Sequence, residues 1–300
     1  MPKTKGFIQG FLDFQHYTIS VSNIEKSLSF YRDLLGFPVL GRLNYHNKVG
    51  LMIYFLDIGN NAILEMFGFQ VPTKPSDRIA DDLQLGIRHV GFKVKDVDEI
   101  ALRLKSANVP FTMEPLDAHG GVRIAFFKDP DGILLEIIQG ELHYDQNIHS
   151  RLPSPSPLIK SGNGDLSFDH ITLTASDLEK ALAFYEGALG FPVLGQLVNE
   201  DDQRGFLITY LQAGNSVLEL FSFTVPTIPH TWNPEEIVLG FRHMGFLVSD
   251  VDSVAQRLGR AGVRILYPPT EAQGKVKTCF FVDPDGNALE LIDGTVTYDE

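Results

Sequence analysis

A long internal repeat is the sequence feature that most constrains the fold. FDHITLTASDLEKALAFYEGALGFPVLG, from Phe168, repeats FQHYTISVSNIEKSLSFYRDLLGFPVLG, from Phe14. LGFRHMGFLVSDVD, from Leu239, repeats LGIRHVGFKVKDVD, from Leu85, and both pairs share an offset of 154 residues. A constant offset predicts two halves without insertions relative to each other, and therefore two copies of one fold.

A second, weaker period within each half predicts four modules. Each module opens with a short alternating strand that begins at a histidine: HYTISV, HVGFKV, HITLTA and HMGFLV. A helix follows, with Ser22 and Ser176 predicted to begin capping boxes and Asp96 and Asp250 preceding the second helices. Three strand-like runs complete each module, and the DPDG sequences at Asp129 and Asp283 predict tight turns.

The predicted fold class is therefore α+β, with four βαβββ modules whose curved mixed sheets surround clefts. A segment rich in proline, glycine and serine separates the halves. We expect a first domain over residues 12–145, a linker over 146–165 and a second domain over 166–300.

Composition limits the partners of the chain. The net charge of −13 over 300 residues argues against nucleic acid and anionic membrane surfaces. No run of residues reaches the roughly 20 apolar positions that span a bilayer. The only cysteine, Cys279, cannot form a disulfide within the chain. A cytoplasmic enzyme acting on a small molecule fits these limits.

Histidine and glutamate residues recur at the repeat offset and are candidate metal ligands. One histidine lies in the first strand of each module and one glutamate in its last strand: His16, Glu65, His89, Glu136, His170, Glu219, His243 and Glu290. Strand alternation places His16 on one face with Thr18 and Ser20, while Tyr17 and Ile19 face the helix. Any one of these residues alone is better explained as an ordinary buried or solvated side chain.

Four such residues repeated in two halves favour metal binding. Two neutral imidazoles and two carboxylates suit an octahedral divalent ion such as Zn, Ni, Co, Mn or Fe, with up to two ions per chain. The simplest expectation is one complete site in each half. Pairing of modules across the halves would complete the same ligand sets. In either arrangement a monomer is plausible, and association into a homo-oligomer stays open.

These residues resemble the vicinal oxygen chelate superfamily, which includes glyoxalase I, methylmalonyl-CoA epimerase, extradiol dioxygenases and bleomycin-resistance proteins. The resemblance covers nearly the whole chain. It rests on the strand-one histidines, on the SFYRDLLGF and AFYEGALGF helix ends and on the DPDG endings. It implies a metal-dependent fold of this kind, without fixing the reaction.

The order His, Glu, His, Glu is similar to bacterial glyoxalase I. Extradiol dioxygenases generally use only three of these positions. Glutathione-dependent members typically carry asparagine where this chain has Phe69 and Phe223, and arginine where it has Leu85 and Leu239. Arg88 and Arg242, beside the histidines, are expected on the opposite strand face. Dioxygenases usually carry a tyrosine where this chain has Phe126 and Phe280, although the spacing of His119 resembles that of a histidine that lies near the metal ligands in dioxygenases.

The resemblance and the residues together predict a lyase or isomerase that transfers a proton next to a metal-chelated carbonyl. The candidate proton-transfer residues are Glu136, Glu290, Glu65 and Glu219. Alternation places four rings on the face of the glutamates as a candidate substrate pocket: Phe67, Phe69, Phe221 and Phe223. They predict a hydrophobic or aromatic substrate that is not carried by glutathione. A ring-cleaving extradiol-type dioxygenase and a non-catalytic binding or resistance protein are the alternatives.

Overall fold

The computed structural model describes residues 12–150, 165–230, 233 and 236–299. The four predicted modules are all present. The first contains β1 (Asp13–Ser20), α1 (Ile24–Leu28), β2 (Val39–Asn44), β3 (Met52–Asp57) and β4 (Ile63–Gly68). The second contains β5 (Gly86–Val94), α2 (Val97–Ser106), β6 (Phe111–Ala118), β7 (Val122–Lys128) and β8 (Leu134–Gln139), and a short strand β9 (Gln146–Asn147) follows it.

The second half repeats this order. Its first module contains β10 (Leu166–Thr174), α3 (Leu178–Leu182), β11 (Val193–Val198), β12 (Leu207–Ala213) and β13 (Ser216–Ser222). Its last module contains β14 (Gly240–Leu247), α4 (Val251–Arg260), β15 (Ile265–Ala272), β16 (Val276–Val282) and β17 (Ala288–Asp293). Helices α1 and α3 each continue as a π-helical segment, Ser29–Leu34 and Ala183–Ala188. Among the described residues no helix is long and apolar enough to cross a membrane.

The strands form two curved mixed sheets, and each sheet joins one module from each half. The first sheet has the order β15-β16-β17-β14-β1-β4-β3-β2, and the second has the order β6-β7-β8-β5-β10-β13-β12-β11-β9. The expectation that each half completes its own site is therefore wrong. The sequence could not exclude this pairing because the same residues face one another whether a module pairs within its half or across to the other half.

Two sequence expectations about the repeat need correction. In the register of the sheets Phe55 lies opposite Glu65, whereas Tyr210, and not Thr209, lies opposite Glu219. The constant offset therefore hides a one-residue insertion before β12 and a compensating deletion after it. The predicted linker is also partly structured, since Gln146 and Asn147 pair with β11; residues 151–164 of it lie outside the described part.

The helix caps differ by one residue from the predicted capping boxes. Asn23 and Asp177 cap α1 and α3, because their side chains accept hydrogen bonds from the backbone N–H groups of Lys26 and Lys180. Ser22 has another role: its N–H donates to Asp131 of the DPDG turn at 3.0 Å. Asp96 and Asp250 cap α2 and α4 as predicted.

The two sheets share one hydrophobic core, to which all four modules contribute. Phe14 and Phe168 stack with ring centroids 4.6 Å apart where the halves meet. Phe37 packs on Phe92 of the second module at 5.1 Å. The faces of β1 and β10 that carry the histidines point away from this core, as alternation predicts, since Tyr17 and Ile19 are fully buried within it.

A buried tyrosine–aspartate pair joins the sheets within each half. Tyr31 donates a hydrogen bond to Asp129 at 3.0 Å, and Tyr185 donates to Asp283 at 2.8 Å. Burial raises the pKa of Asp129 to about 6, although hydrogen bonds from Ile133 and Tyr31 oppose the shift. The FYRDLLGF and DPDG motifs are therefore contact points between the two sheets.

Removal of the Tyr31 hydroxyl should destabilise the fold in a pH-dependent way. Because the pKa of Asp129 is about 6 against an ordinary 3.8, folding takes up a proton between these values and stability falls as pH rises through that window. Tyr31→Phe removes a donor to the carboxylate, so we expect a loss of about 1 to 2 kcal/mol that is larger at pH 8 than at pH 5.

Urea denaturation at both pH values measures this loss. Tyr54→Phe is the control, because Tyr54 accepts only a long, exposed hydrogen bond of 3.5 Å from Arg42; its change should stay below about 0.5 kcal/mol. Equal losses at the two pH values would contradict the role assigned to Asp129.

Candidate metal centres

The strand pairing assembles the eight predicted residues into two clusters. Site 1 contains His16, Glu65, His243 and Glu290. In site 2 His89, Glu136 and His170 form the compact group, and Glu219 lies beside it, with Oε2 3.8 Å from Nε2 of His170 and 4.0 Å from that of His89. Every one of these residues is buried. In site 1 one ligand atom from each of the four residues lies within 4.8 Å of the others. Each site therefore draws one histidine and one glutamate from each half of the chain.

The antiparallel pairing of two first strands explains the placement of the histidines. In β1 and β14 His16 lies opposite Gly245, and Thr18 lies opposite His243. A Cβ atom at Gly245 would lie 2.0 Å from the imidazole of His16, so the glycine makes room for the ring. Site 2 repeats the arrangement, with Gly91 against His170 and Thr172 opposite His89.

The threonines hold the first glutamate of each site. Thr18 donates to Oε2 of Glu65 at 3.0 Å, and its oxygen lies 3.0 Å from Nε2 of His243. Thr172 donates to Glu219 at 2.9 Å in the same way. These contacts keep Glu65 and Glu219 farther from the imidazoles: Oε2 of Glu65 is 3.8 Å from Nε2 of His16.

The second glutamate of each site lies between both histidines. Oε2 of Glu136 is 3.0 Å from Nε2 of His170 and 3.1 Å from that of His89. Oε2 of Glu290 is 3.0 Å from His243 and 3.1 Å from His16. Ligand atoms about 2.1 Å from an octahedral ion lie about 3.0 Å apart when adjacent and about 4.2 Å when opposite. The observed spacings lie in this range.

One nitrogen of site 1 also supports a bound cation. Nε2 of His16 is buried and has no hydrogen-bonding partner among the described residues, although Glu290 is near. A buried polar atom without a partner is costly unless a ligand satisfies it. Three features fit a divalent metal ion. They are the two imidazoles and two carboxylates, the space that Gly245 leaves for the ring of His16, and this unpaired nitrogen.

Charges within site 2 separate the pKa values of its two glutamates. Burial works against the charged form of Glu136, but hydrogen bonds from His170 and His89 lower its pKa to about 2. Burial raises the pKa of Glu219 to about 7, and the charge of Glu136 adds to the shift. Although burial opposes it, Glu219 and Asp169 raise the pKa of His170 well above its usual value. The carboxylates of site 2 therefore favour a positive charge beside them, and a metal ion would supply that charge.

The residues behind the first histidines differ between the two sites. Nδ1 of His170 donates to the carboxylate of Asp169 at 3.0 Å, whereas Nδ1 of His16 donates to the carboxamide of Gln15. A carboxylate behind a ligating histidine fixes the ring and makes its outer nitrogen a stronger donor to metal. We therefore expect site 2 to bind metal more tightly than site 1.

A large cavity of about 1440 Å³ opens over site 2. His89, Glu136 and Glu219 lie in its wall, with Phe126 and Phe221 beside them. The ring centroids of Phe126 and Phe221 lie 5.0 and 6.1 Å from that of His89. The wall is thus apolar next to the ligands, and more polar toward its rim, where His119 pairs with Asp145 at 2.8 Å.

The predicted pocket phenylalanines occupy two kinds of position. The ring centroids of Phe67 and His243 lie 6.2 Å apart, and Phe69 packs edge-on against Phe67. Phe221 takes the matching place beside His89 in site 2. Phe223, however, stacks on Phe206 at 5.0 Å. Phe206 itself lines the cavity of site 2. The role of the four rings in substrate binding stays a prediction.

Two arginines do not lie where alternation predicts. The register skips Arg242, since Thr18 pairs with His243 and Ile19 with Phe241, and this bulge turns Arg242 toward the ring of Phe67 at 5.9 Å. The matching bulge places Arg88 in the wall of the cavity of site 2, where it pairs with Asp82 at 2.6 Å. The expectation that both point to the opposite face is wrong because a bulge interrupts strict alternation.

The comparisons with known proteins agree with this geometry. A family model described as Glyoxalase/Bleomycin resistance protein/Dioxygenase superfamily matches residues 13–137 and 167–291. A putative lactoylglutathione lyase of Brassica oleracea var. gemmifera is 26% identical over 293 residues, covering 93% of this chain and 91% of the relative. The metapyrocatechase of Pseudomonas sp. (strain CF600) is 26% identical over 288 residues, covering 93% and 85%.

A solved structure shares the fold. The crystal structure of glyoxalase I from Zea mays has a TM-score of 0.71 and 24% identity, covering 95% of this chain and 93% of that one. The paired βαβββ sheets and their ligand clusters thus define a metal-dependent enzyme of the glyoxalase type. The chain belongs to the Glyoxalase/Bleomycin resistance protein/Dioxygenase superfamily.

Gly91 and Gly245, which make room for the histidine rings, allow each metal site to be disrupted separately. Gly91→Ala should displace His170 and Gly245→Ala should displace His16, because the new Cβ would lie 2.0 Å from the ring in each case. Each variant should then bind about one fewer divalent ion per chain than the wild type, as measured by metal analysis after reconstitution. Gly259→Ala in α4, where nothing lies within 4 Å of the added atom, should keep both ions. Full occupancy in all three variants would contradict the assignment.

The carboxylate behind His170 gives a second test. Asp169→Asn should weaken metal binding at site 2 by about tenfold or more and leave site 1 unchanged. Competition titration with a chromogenic chelator on the Gly245→Ala variant isolates site 2, and the same titration on Gly91→Ala isolates site 1. An equal change at both sites would show that Asp169 acts through something other than His170.

Proposed function

We propose that the chain is a lyase or isomerase that moves a proton next to a carbonyl group held in its metal sites. The observation that carries this proposal is the fourth ligand. Glu65 and Glu219 are both present, buried and held by a threonine within 4.0 Å of the imidazoles. A site with two glutamates has one carboxylate to spare for proton transfer while three side chains retain the ion.

In each site the two glutamates are the groups that can accept the transferred proton. A divalent ion bound there supplies Lewis-acid stabilisation of the negative charge that develops on the carbonyl oxygen. Glu136 or Glu219 in site 2, and Glu290 or Glu65 in site 1, takes the proton from the carbon and returns it to the neighbouring carbon. All four carboxylates are buried.

The lining of site 2 supports an apolar or aromatic substrate. Phe126, Phe206 and Phe221 surround the ligands in a cavity large enough for a drug-sized molecule. Phe69 and Phe223 stand where glutathione-dependent members carry asparagine, and we propose that this chain needs no glutathione. The metal is one of Zn, Ni, Co, Mn or Fe. A single chain completes both sites, so a monomer suffices, and we keep the cytoplasm as the proposed location.

Proton exchange tests the proposal directly. Metal-loaded protein should exchange the protons next to the carbonyl of 2-hydroxyacetophenone, an aromatic α-hydroxyketone, for deuterium in D₂O, as followed by NMR without glutathione. The double variant Glu136→Gln, Glu290→Gln should lose at least about 100-fold of this rate, since a general base contributes about 10² to 10⁴.

Two controls define the outcome. Glu186→Gln, at an exposed glutamate of the π-helical segment, should exchange at the wild-type rate. Exchange at the wild-type rate in the double variant would overturn the assignment of Glu136 and Glu290, and exchange at that rate in Glu65→Gln, Glu219→Gln as well would overturn the glutamate assignment as a whole. Exchange that required added glutathione would overturn only the proposal on the cofactor.

A second candidate function, extradiol ring cleavage, has one specific observation in its favour. His119 lines the cavity of site 2 with its partner Asp145, and the matching residue over site 1 is Gln273. The metapyrocatechase relative adds to this. Oxygen uptake by iron- or manganese-loaded protein with catechol, lost in His89→Ala, would favour this function over proton transfer.

A further inference from the structure

The two metal sites are related by the repeat, so each site is a control for the other. Most residues around the ligands match: Thr18 with Thr172, Phe280 with Phe126, and Phe67 with Phe221. The position opposite the first glutamate does not match. Phe55 lies opposite Glu65 in site 1, and Tyr210 lies opposite Glu219 in site 2.

The position opposite a glutamate in an antiparallel pair shares its sheet face. Directly opposite side chains of neighbouring antiparallel strands lie about 5 Å apart at Cβ and point to the same side. Tyr210 accordingly lines the same cavity as Glu219, His89 and Glu136. It is 3% exposed, so its phenol belongs to the inner wall and not to the rim.

Packing fixes the ring of Tyr210. Tyr144, which follows β8, packs against it with ring centroids 5.1 Å apart, and Tyr298 packs against Phe55 in the same way at 5.2 Å. Because this ring contact is present in both sites, the difference at this position is the phenolic hydroxyl. That hydroxyl makes no hydrogen bond to another described residue, and it is not sealed off from the cavity.

We propose that the two metal sites differ in function and that Tyr210 makes the difference: its hydroxyl donates a hydrogen bond to a substrate oxygen held beside Glu219. Site 1 offers only the ring of Phe55 at this place. Site 2 therefore selects ligands with two neighbouring oxygens on an aromatic body, one facing the metal ligands and one facing Tyr210. This inference rests on the proposed function, because it assumes that the substrate oxygens lie at the metal.

A chromogenic aromatic ligand with two neighbouring oxygens tests the inference. The probe is 4-nitrocatechol, whose visible absorption changes when its oxygens bind a metal. Two zinc-loaded backgrounds are used: His243→Ala, which retains site 2, and His89→Ala, which retains site 1. Metal analysis confirms about one ion per chain in each background before the titrations.

Tyr210→Phe is then added to both backgrounds. It keeps the ring that packs on Tyr144 and removes only the hydroxyl. We expect the Kd for 4-nitrocatechol to rise about fivefold to tenfold in the site 2 background, which corresponds to one lost hydrogen bond. In the site 1 background the Kd should stay unchanged. The zinc content should be the same with and without the substitution.

The other outcomes separate the two proposals. Equal Kd values with and without the Tyr210 hydroxyl at site 2 would overturn the inference and leave the metal-site function standing. A rise in Kd at both sites would overturn it as well, since the effect would then come from the fold. Zinc-loaded protein that bound no 4-nitrocatechol at either site would overturn the proposed function, and the inference with it.

Discussion

The reciprocal contact between two antiparallel strands is the constraint on which the rest of the structure depends. Each histidine of a site lies opposite the residue two positions after the other histidine. On one strand that residue is glycine, which receives an imidazole ring; on the other it is threonine, which binds a glutamate and approaches the second histidine. Neither strand can present its histidine correctly without the other. The modules must therefore associate in pairs before either ligand set exists.

This requirement explains the arrangement of the halves. Each half supplies one module to each sheet, and the tyrosine–aspartate pairs at Tyr31 and Tyr185 join the two sheets within each half. The segment between β4 and β5 also contacts the segment between β13 and β14, since the N–H of Lys74 donates to the carbonyl of Ile237 at 2.8 Å. Duplication thus converts an association between two copies into a fold within one chain, and loop-closure entropy replaces the larger entropic cost of bringing separate copies together.

The sequence predicts the local structure and the ligand identities well. Strand alternation correctly separated His16 and Thr18 from Tyr17 and Ile19, because a strand with one buried face has a strict period of two. It failed at Arg88 and Arg242, where a bulge breaks that period. The constant repeat offset gave no sign of Tyr210, because two compensating length changes left that offset intact. The partner of each module could not be predicted, because pairing within a half would satisfy the same register contacts.

Duplication also removes a limit on the chemistry of the sites. In an association of two identical chains every substitution appears in both sites, so a gain at one is forced on the other. In a single chain the two sites drift separately, and this chain shows such drift around an unchanged ligand set. Asp169 replaces Gln15 behind the first histidine, Tyr210 replaces Phe55 beside the first glutamate, and His119 replaces Gln273 at the rim. Asp169 adds a negative charge to site 2, Tyr210 adds a hydroxyl, and His119 puts an imidazole where site 1 has a carboxamide. Site 1 carries a polar difference of its own, since Tyr267 packs on Phe280 beside His243 where site 2 has Met113. The two sites have therefore diverged in different directions around the same ligands.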